Sequence, residues 1–146
     1  MTETRFDLRT APYGALVLRL ALGAMFLAHG LLKVVVFTLP GTVAFFESVG
    51  FPGVLAYLTV AAEIGGGLLL ILGVWARWVA LALVPVLLGA LSVHLGNGWV
   101  FSAEGGGWEY PAFLAVTSVV QALLGDGAHA LRPSPLPSRA TALRAA

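Results

Sequence analysis

Four long runs of apolar residues constrain this chain more than any other feature. They cover about residues 13–37 ("YGALVLRLALGAMFLAHGLLKVVVF"), 54–75, 78–95 and 108–124. A helix crossing hydrocarbon needs about 20 mostly apolar residues. In lipid only helices and closed barrels satisfy their own backbone polar groups. The first two runs reach that length easily. The third and fourth lie near the short limit and rely on aromatic ends. Composition points the same way, with 59% hydrophobic and 10% charged residues. Soluble domains carry roughly 25% charged residues. The expectation is an all-α membrane protein: a four-helix transmembrane bundle over residues 1–128, then a flexible, basic, Pro-rich tail over 129–146.

The first run is read as a retained helix rather than a signal peptide. Its apolar core exceeds the 7–15 residues of a signal h-region, and it carries Arg19. Arg5 and Arg9 precede it, Arg77 separates the second and third runs, and Arg132, Arg139 and Arg144 follow the fourth. The opposite loops, 38–53 and 96–107, contain no Lys or Arg. The positive-inside rule therefore places both termini in the cytoplasm. In the first outer loop, "GTVAFFESVG" sets Val43, Phe46 and Val49 at helical spacing, which suits a short amphipathic helix at the interface. The second outer loop is Gly-rich, with Trp99, Phe101 and Trp108 as interface anchors.

A net charge of +1 leaves no nucleic-acid footprint. The chain has no cysteine, which removes disulfides, thiolate metal sites and thiol redox chemistry.

Ionisable residues inside such runs are candidate functional sites. Helical rise places His29 about 12 Å, Lys33 about 6 Å and Glu63 about 14 Å below the outer ends of their spans. His94 closes the third span on that side, and Glu109 and Tyr110 open the fourth. These six residues are expected to converge in the outer half of the bundle, with Arg19 as an outlier deeper toward the cytoplasm. Gly66 and Gly67, one turn beyond Glu63, would let a neighbouring helix or a flat ligand approach the carboxylate. Plainer roles compete at each position. Glu63 can lock the bundle through a cation, either histidine can be a satisfied core residue, Lys33 can snorkel, and Glu109 can complement a helix N-terminus. Haem ligation by His29 and His94 is disfavoured by a depth difference of roughly 10 Å. The spacing offers no tight metal-ligand set.

The segments "LRLALGAMFLAHGLLK", "FFESVGFP", "AAEIGGGLLLILGVWAR", "VHLGNGW" and "GGWEYPAFL" resemble the DoxX family of small bacterial membrane proteins, over about residues 12–130. The family's polar positions fall on Arg19, His29, Lys33, Glu63, Arg77, His94, Glu109 and Tyr110. The resemblance implies a four-helix membrane fold in the bacterial inner membrane. Its namesake relatives include a membrane subunit of a thiosulfate:quinone oxidoreductase. On that basis the chain is expected to be the membrane subunit of a quinone-linked redox system. Glu63 and His29 would be the proton-exchanging groups, and Arg19, Lys33, Gly66, Gly67, His94, Glu109 and Tyr110 would line the ligand site. No covalent cofactor is expected, a quinone is the candidate ligand, and a partner on the outer face supplies electrons. The alternatives are a non-catalytic docking or assembly partner for an exported or membrane protein, and a small-solute or proton conduit. Small-residue faces at Ala61/Gly65 and Ala62/Gly66 are compatible with a homo-oligomer.

Overall fold

A computed structural model describes residues 7–135 of the protein. These residues are all-helical, with no strand among them. The helices are α1 (Ala11–Val35), α2 (Leu39–Ser48), α3 (Val54–Leu72), α4 (Ala76–His94) and α5 (Glu109–Leu124), and a 3₁₀ turn, Leu95–Asn97, extends α4. Three helices, α1, α3 and α4 with its turn, are long and apolar enough to cross a membrane; α5 is apolar but shorter, at 16 residues.

Local chemistry sets the boundaries. Pro12 stands in the first turn of α1, where a missing N–H costs no helical bond. Thr38 caps α2, its hydroxyl accepting from the Gly41 N–H at 3.3 Å. The first outer loop is thus helical, as its pattern predicts, but the helix begins and ends two residues earlier than the 41–50 stretch. Thr42, Val43 and Phe46 turn inward, and Val49 lies beyond the helix end and is exposed. Helix α3 stops at Gly73, whose φ of 69° is the left-handed value that ends many helices. The Val74 N–H then reaches back to the Leu69 carbonyl at 2.9 Å. Helix α4 continues through Pro85.

Helix α1 lies along α3, α3 along α4, α4 along α5, and α5 returns to α1. The α1–α3 seam is the tightest. A Cβ built on Gly67 would stand 2.7 Å from the Leu27 nitrogen and 2.8 Å from the Gly23 carbonyl oxygen. Only hydrogen at both positions permits that approach. The two helices run antiparallel in a fixed register: Lys33 meets Glu63, Gly30 meets Ile64, Leu27 meets Gly67, Gly23 meets Ile71, and Arg19 meets Gly73. The core is Leu22, Phe26, Leu70, Leu83, Leu87 and Leu114, with alanines between. Val17, Leu58, Leu88, Phe113, Val116 and Leu123 point outward and are exposed. An apolar belt of this extent requires a nonaqueous surround.

At the end opposite α2, residues 125–135 are laid across the helix ends. The Ala128 N–H donates to the Pro12 carbonyl at 2.9 Å, and the Leu131 N–H donates to Leu72 at 3.2 Å. The Arg132 N–H donates to Gly73 at 3.1 Å, and the Arg132 carbonyl accepts from Trp75 at 2.9 Å. The segment expected as a free tail from residue 129 is therefore packed as far as residue 135. Its remainder, with Arg139 and Arg144, lies outside the described residues, as does Arg5. Asp126 is the knot of this end. Its carboxylate accepts from the Ser134 hydroxyl at 2.7 Å, the Ser134 N–H at 2.8 Å and the Arg77 N–H at 3.4 Å. Burial alone would raise its pKa. The bonds from Ser134, Arg77 and Ala76 outweigh burial and hold the carboxyl below the usual carboxylate range.

Two predictions test this architecture. Gly67→Val forces a branched side chain onto the α1 backbone and should destabilise by about 1–3 kcal/mol. Gly65→Ala, where a Cβ meets nothing within 4 Å, should be neutral or slightly stabilising. Thermal unfolding in detergent distinguishes them. For Asp126 the folded pKa is the lower one, so its contribution is present above the unfolded value of about 3.9 and fades as pH falls through the folded value. Asp126→Asn should lower the Tm near neutral pH. The gap to the parent protein should narrow steadily below about pH 4.

Candidate functional site

Glu63 is buried on α3 among apolar neighbours, where an isolated carboxylate would be severely penalised. Lys33 resolves this. Its Nζ donates to Glu63 Oε1 at 2.9 Å and Oε2 at 2.8 Å, spanning both oxygens. The lysine side chain keeps 20% of its exposure and the glutamate 7%, so the pair is largely but not wholly enclosed. Helix α2 rests on the same spot. The Thr42 hydroxyl, buried, bonds the Lys33 carbonyl at 2.9 Å.

One turn below Lys33, His29 faces α5. Its Nδ1 lies 2.8 Å from the Met25 carbonyl oxygen. A carbonyl only accepts, so Nδ1 carries the proton, and in the neutral ring Nε2 is left as an acceptor. The Tyr110 ring stacks on His29 with centroids 5.6 Å apart and planes 28° from parallel. The Tyr110 hydroxyl is buried and has no hydrogen-bond partner. Buried hydroxyls are rarely left this way. The site therefore offers an ion pair, a free imidazole acceptor and a free phenol donor on the α2 side of the core. The α1–α5 seam that holds the stacked rings is sparse compared with α1–α3.

The other expected site residues are placed elsewhere. His94 Nδ1 donates to the Gly105 and Gly106 carbonyls at 3.0 and 3.1 Å, and Asn97 Nδ2 donates to the same two oxygens. Glu109 Oε1 accepts from the Phe101 N–H at 2.8 Å. These residues shape the α4–α5 loop. Gly67 is closed by the α1 backbone and Gly66 by Leu83, whose Cδ atoms lie 2.9 Å from where a Cβ would stand. The space that the sequence suggested beside Glu63 is taken up by helix packing. Arg19 lies at the opposite end of α1, 1% exposed, with its Nη2 donating to the Ala128 carbonyl at 3.2 Å. Its guanidinium lies against Gly73, where any side chain would overlap Nη1.

Sequence reasoning missed Ser118, Gln121, Thr42 and Asp126. Ser118 and Gln121 are fully buried on α5. Their i, i+3 spacing on an apolar helix was the available signal. Gln121 Nε2 donates to the Gly125 carbonyl at 2.7 Å, while its Oε1 and the Ser118 hydroxyl have no partner. No group of three or more His, Asp or Glu suited to a metal occurs among the described residues.

The fold and site define a helical membrane protein with a buried Lys–Glu pair and an aromatic–imidazole stack on one side of its core. The chain belongs to the DoxX family, which it matches over residues 14–96. It is 36% identical over 121 residues to the Bacillus subtilis (strain 168) protein named "Putative oxidoreductase CatD", an alignment covering 82% of this chain and 85% of that relative. No solved structure matches the chain.

Removing one member of a buried ion pair strands the other charge. Glu63→Gln should cost about 3–5 kcal/mol, and Lys33→Met combined with Glu63→Leu should recover much of that loss. Unfolding of the two variants in the same detergent checks this ordering.

Proposed function

We propose that the chain is the membrane subunit of a quinone-linked redox system, a multi-pass four-helix bundle of the bacterial inner membrane with both termini cytoplasmic. The observation that carries the reading is the buried, unpartnered Tyr110 hydroxyl stacked beside the free Nε2 of His29. A quinone has carbonyl oxygens that accept and, once reduced, hydroxyls that donate. It supplies two-electron, two-proton chemistry when bound. The Tyr110 hydroxyl donates to one oxygen, and His29 Nε2 accepts from the reduced form. On this reading the sparse α1–α5 seam that holds the stacked rings is the quinone's route of entry. The Lys33–Glu63 pair, a turn away, fixes the local charge. The name of the Bacillus relative supports an oxidoreductase association.

Electrons come from a partner protein. The loop fixed by His94, Asn97 and Glu109 presents Trp99, Val100 and Phe101, each at least half exposed, at the α2 end. A stiff apolar platform suits docking, and the same feature supports the second reading, a non-catalytic docking subunit. A conduit draws no support from the packing. Between Glu63 and Gly73, about ten residues or roughly 15 Å of α3, the buried side chains are apolar. Ala61 and Gly65 remain open on α3, where a second copy could pack.

Tyr110→Phe separates function from stability. It removes a hydroxyl with no bond to lose, so the Tm should hold or rise. Affinity for a short-chain quinone, followed by tryptophan quenching in detergent, should fall by about three- to tenfold. Failure of the parent protein to bind the quinone, or equal binding by Tyr110→Phe, overturns the reading.

A further inference from the structure

The end opposite α2 carries charge that the redox reading does not use. Arg9, Arg19, Arg77 and Arg132 stand there with Asp7 and Asp126 as the carboxylates among the described residues, whereas the α2 end holds Glu47, Glu104, Glu109 and the paired Glu63. Asp126 is committed to Ser134 and backbone N–H groups. Lys33–Glu63 is the one ion pair among the described residues, so no carboxylate of a described residue stands at ion-pair distance from Arg132. Its guanidinium carbon lies 4.9 Å above the Trp75 ring. The placement is not accidental to a loose chain, because the Arg132 backbone is bonded on both sides, to Gly73 and to Trp75. Trp78 is held as well, its indole N–H donating to the Pro135 carbonyl at 3.3 Å.

The surroundings of this cation are apolar and open. Trp75 is 42% exposed, Trp78 46%, Leu72 48% and Leu131 71%. A free phosphate would answer the charge and leave the indoles and leucines in contact with water. A phospholipid answers both, its phosphodiester on the guanidinium and its acyl chains along the apolar helices. Arginine over an exposed indole at the end of apolar helices is also the amphipathic order of a membrane interface.

We propose that Arg132, held over Trp75 by the packed C-terminal segment, forms a binding site for the headgroup of an anionic phospholipid. The site is independent of the redox reading, since it shares no residue with the Lys33, Glu63, His29 and Tyr110 cluster.

The test is native mass spectrometry of the full chain in detergent, with phosphatidylglycerol and phosphatidylcholine of identical acyl chains supplied in equal amounts. The parent protein should retain phosphatidylglycerol about fivefold more than phosphatidylcholine, the preference expected of one arginine at an anionic surface. Arg132→Gln should remove most of that preference, and Arg132→Lys should keep part of it. The Gln variant spares both backbone bonds, and an unchanged thermal midpoint verifies that it is folded. If it is not folded, Trp75→Leu serves instead and should weaken the preference while preserving apolar bulk. Equal retention of the two lipids overturns the proposal, as does an Arg132→Gln protein that retains phosphatidylglycerol like the parent. Displacement of the lipid by millimolar glycerol phosphate would reassign the site to a soluble phosphate and likewise overturns it.

Discussion

The contact of α1 with α3 at Gly23 and Gly67 is the constraint on which the rest of the molecule depends. It brings the two backbones together and fixes their relative register. With Leu27 against Gly67, Lys33 falls opposite Glu63 and Arg19 opposite Gly73. A shift of one turn, 5.4 Å along either helix, would strand the Glu63 carboxylate among leucines and drive the Arg19 guanidinium into a side chain. In lipid the hydrophobic effect gives little preference between such registers, because every outward face is equally apolar. Close packing of small residues and two buried charges supply the choice. The ion pair is therefore a register lock whatever else it does. That role and a role in chemistry do not compete for the same atoms, since the candidate ligand groups are His29 Nε2 and the Tyr110 hydroxyl.

Much of this was legible in the sequence because its signals are periodic or compositional. Apolar runs gave the helices α1, α3, α4 and α5 to within a few residues. The depth argument put His29 level with Glu63, and Lys33, His94, Glu109 and Tyr110 nearer the outer surface, whereas in the structure Lys33 pairs with Glu63 and His29 stacks on Tyr110. What depth could not give was rotation about a helix axis. Glu63 and Gly67 share a face, so a glycine beside the carboxylate read equally as ligand space or as a helix crossing, and only packing decides. His94 and Glu109 have the right depth, yet their side chains turn into the α4–α5 loop to satisfy backbone groups that a Gly-rich turn leaves free. The segment after α5 was misjudged for a different reason. Prolines and arginines gave it the composition of a tail. One carboxylate, Asp126, binds Ser134 eight residues later and folds it back.

The two ends of the molecule use polarity differently. At the end bearing residues 125–135, polar side chains mostly serve backbone: Arg19 holds Ala128, Gln121 holds Gly125, and Asp126 holds Ser134 and Arg77. That end is a closure. At the α2 end the Lys33–Glu63 pair and the His29–Tyr110 stack are side chain to side chain, and they leave an acceptor and a donor free. The contacts of the closed end hold the chain across the helix ends and leave the exposed Arg132 and Trp75 on its outer surface.

Between the ends lies the core of Leu22, Phe26, Leu70, Leu83 and Leu87. Along the α1–α3 seam the backbones are already in contact, so water and protons find no polar relay there. The Lys33–Glu63 pair lies on the α2 side of that core, and Lys33 keeps some exposure there. Under the redox reading this has a mechanistic consequence. Protons taken up or released with electron transfer pass through the α2 end, the end where the exposed Trp99–Phe101 loop would receive a partner. Electron delivery and proton exchange then share one face of the membrane.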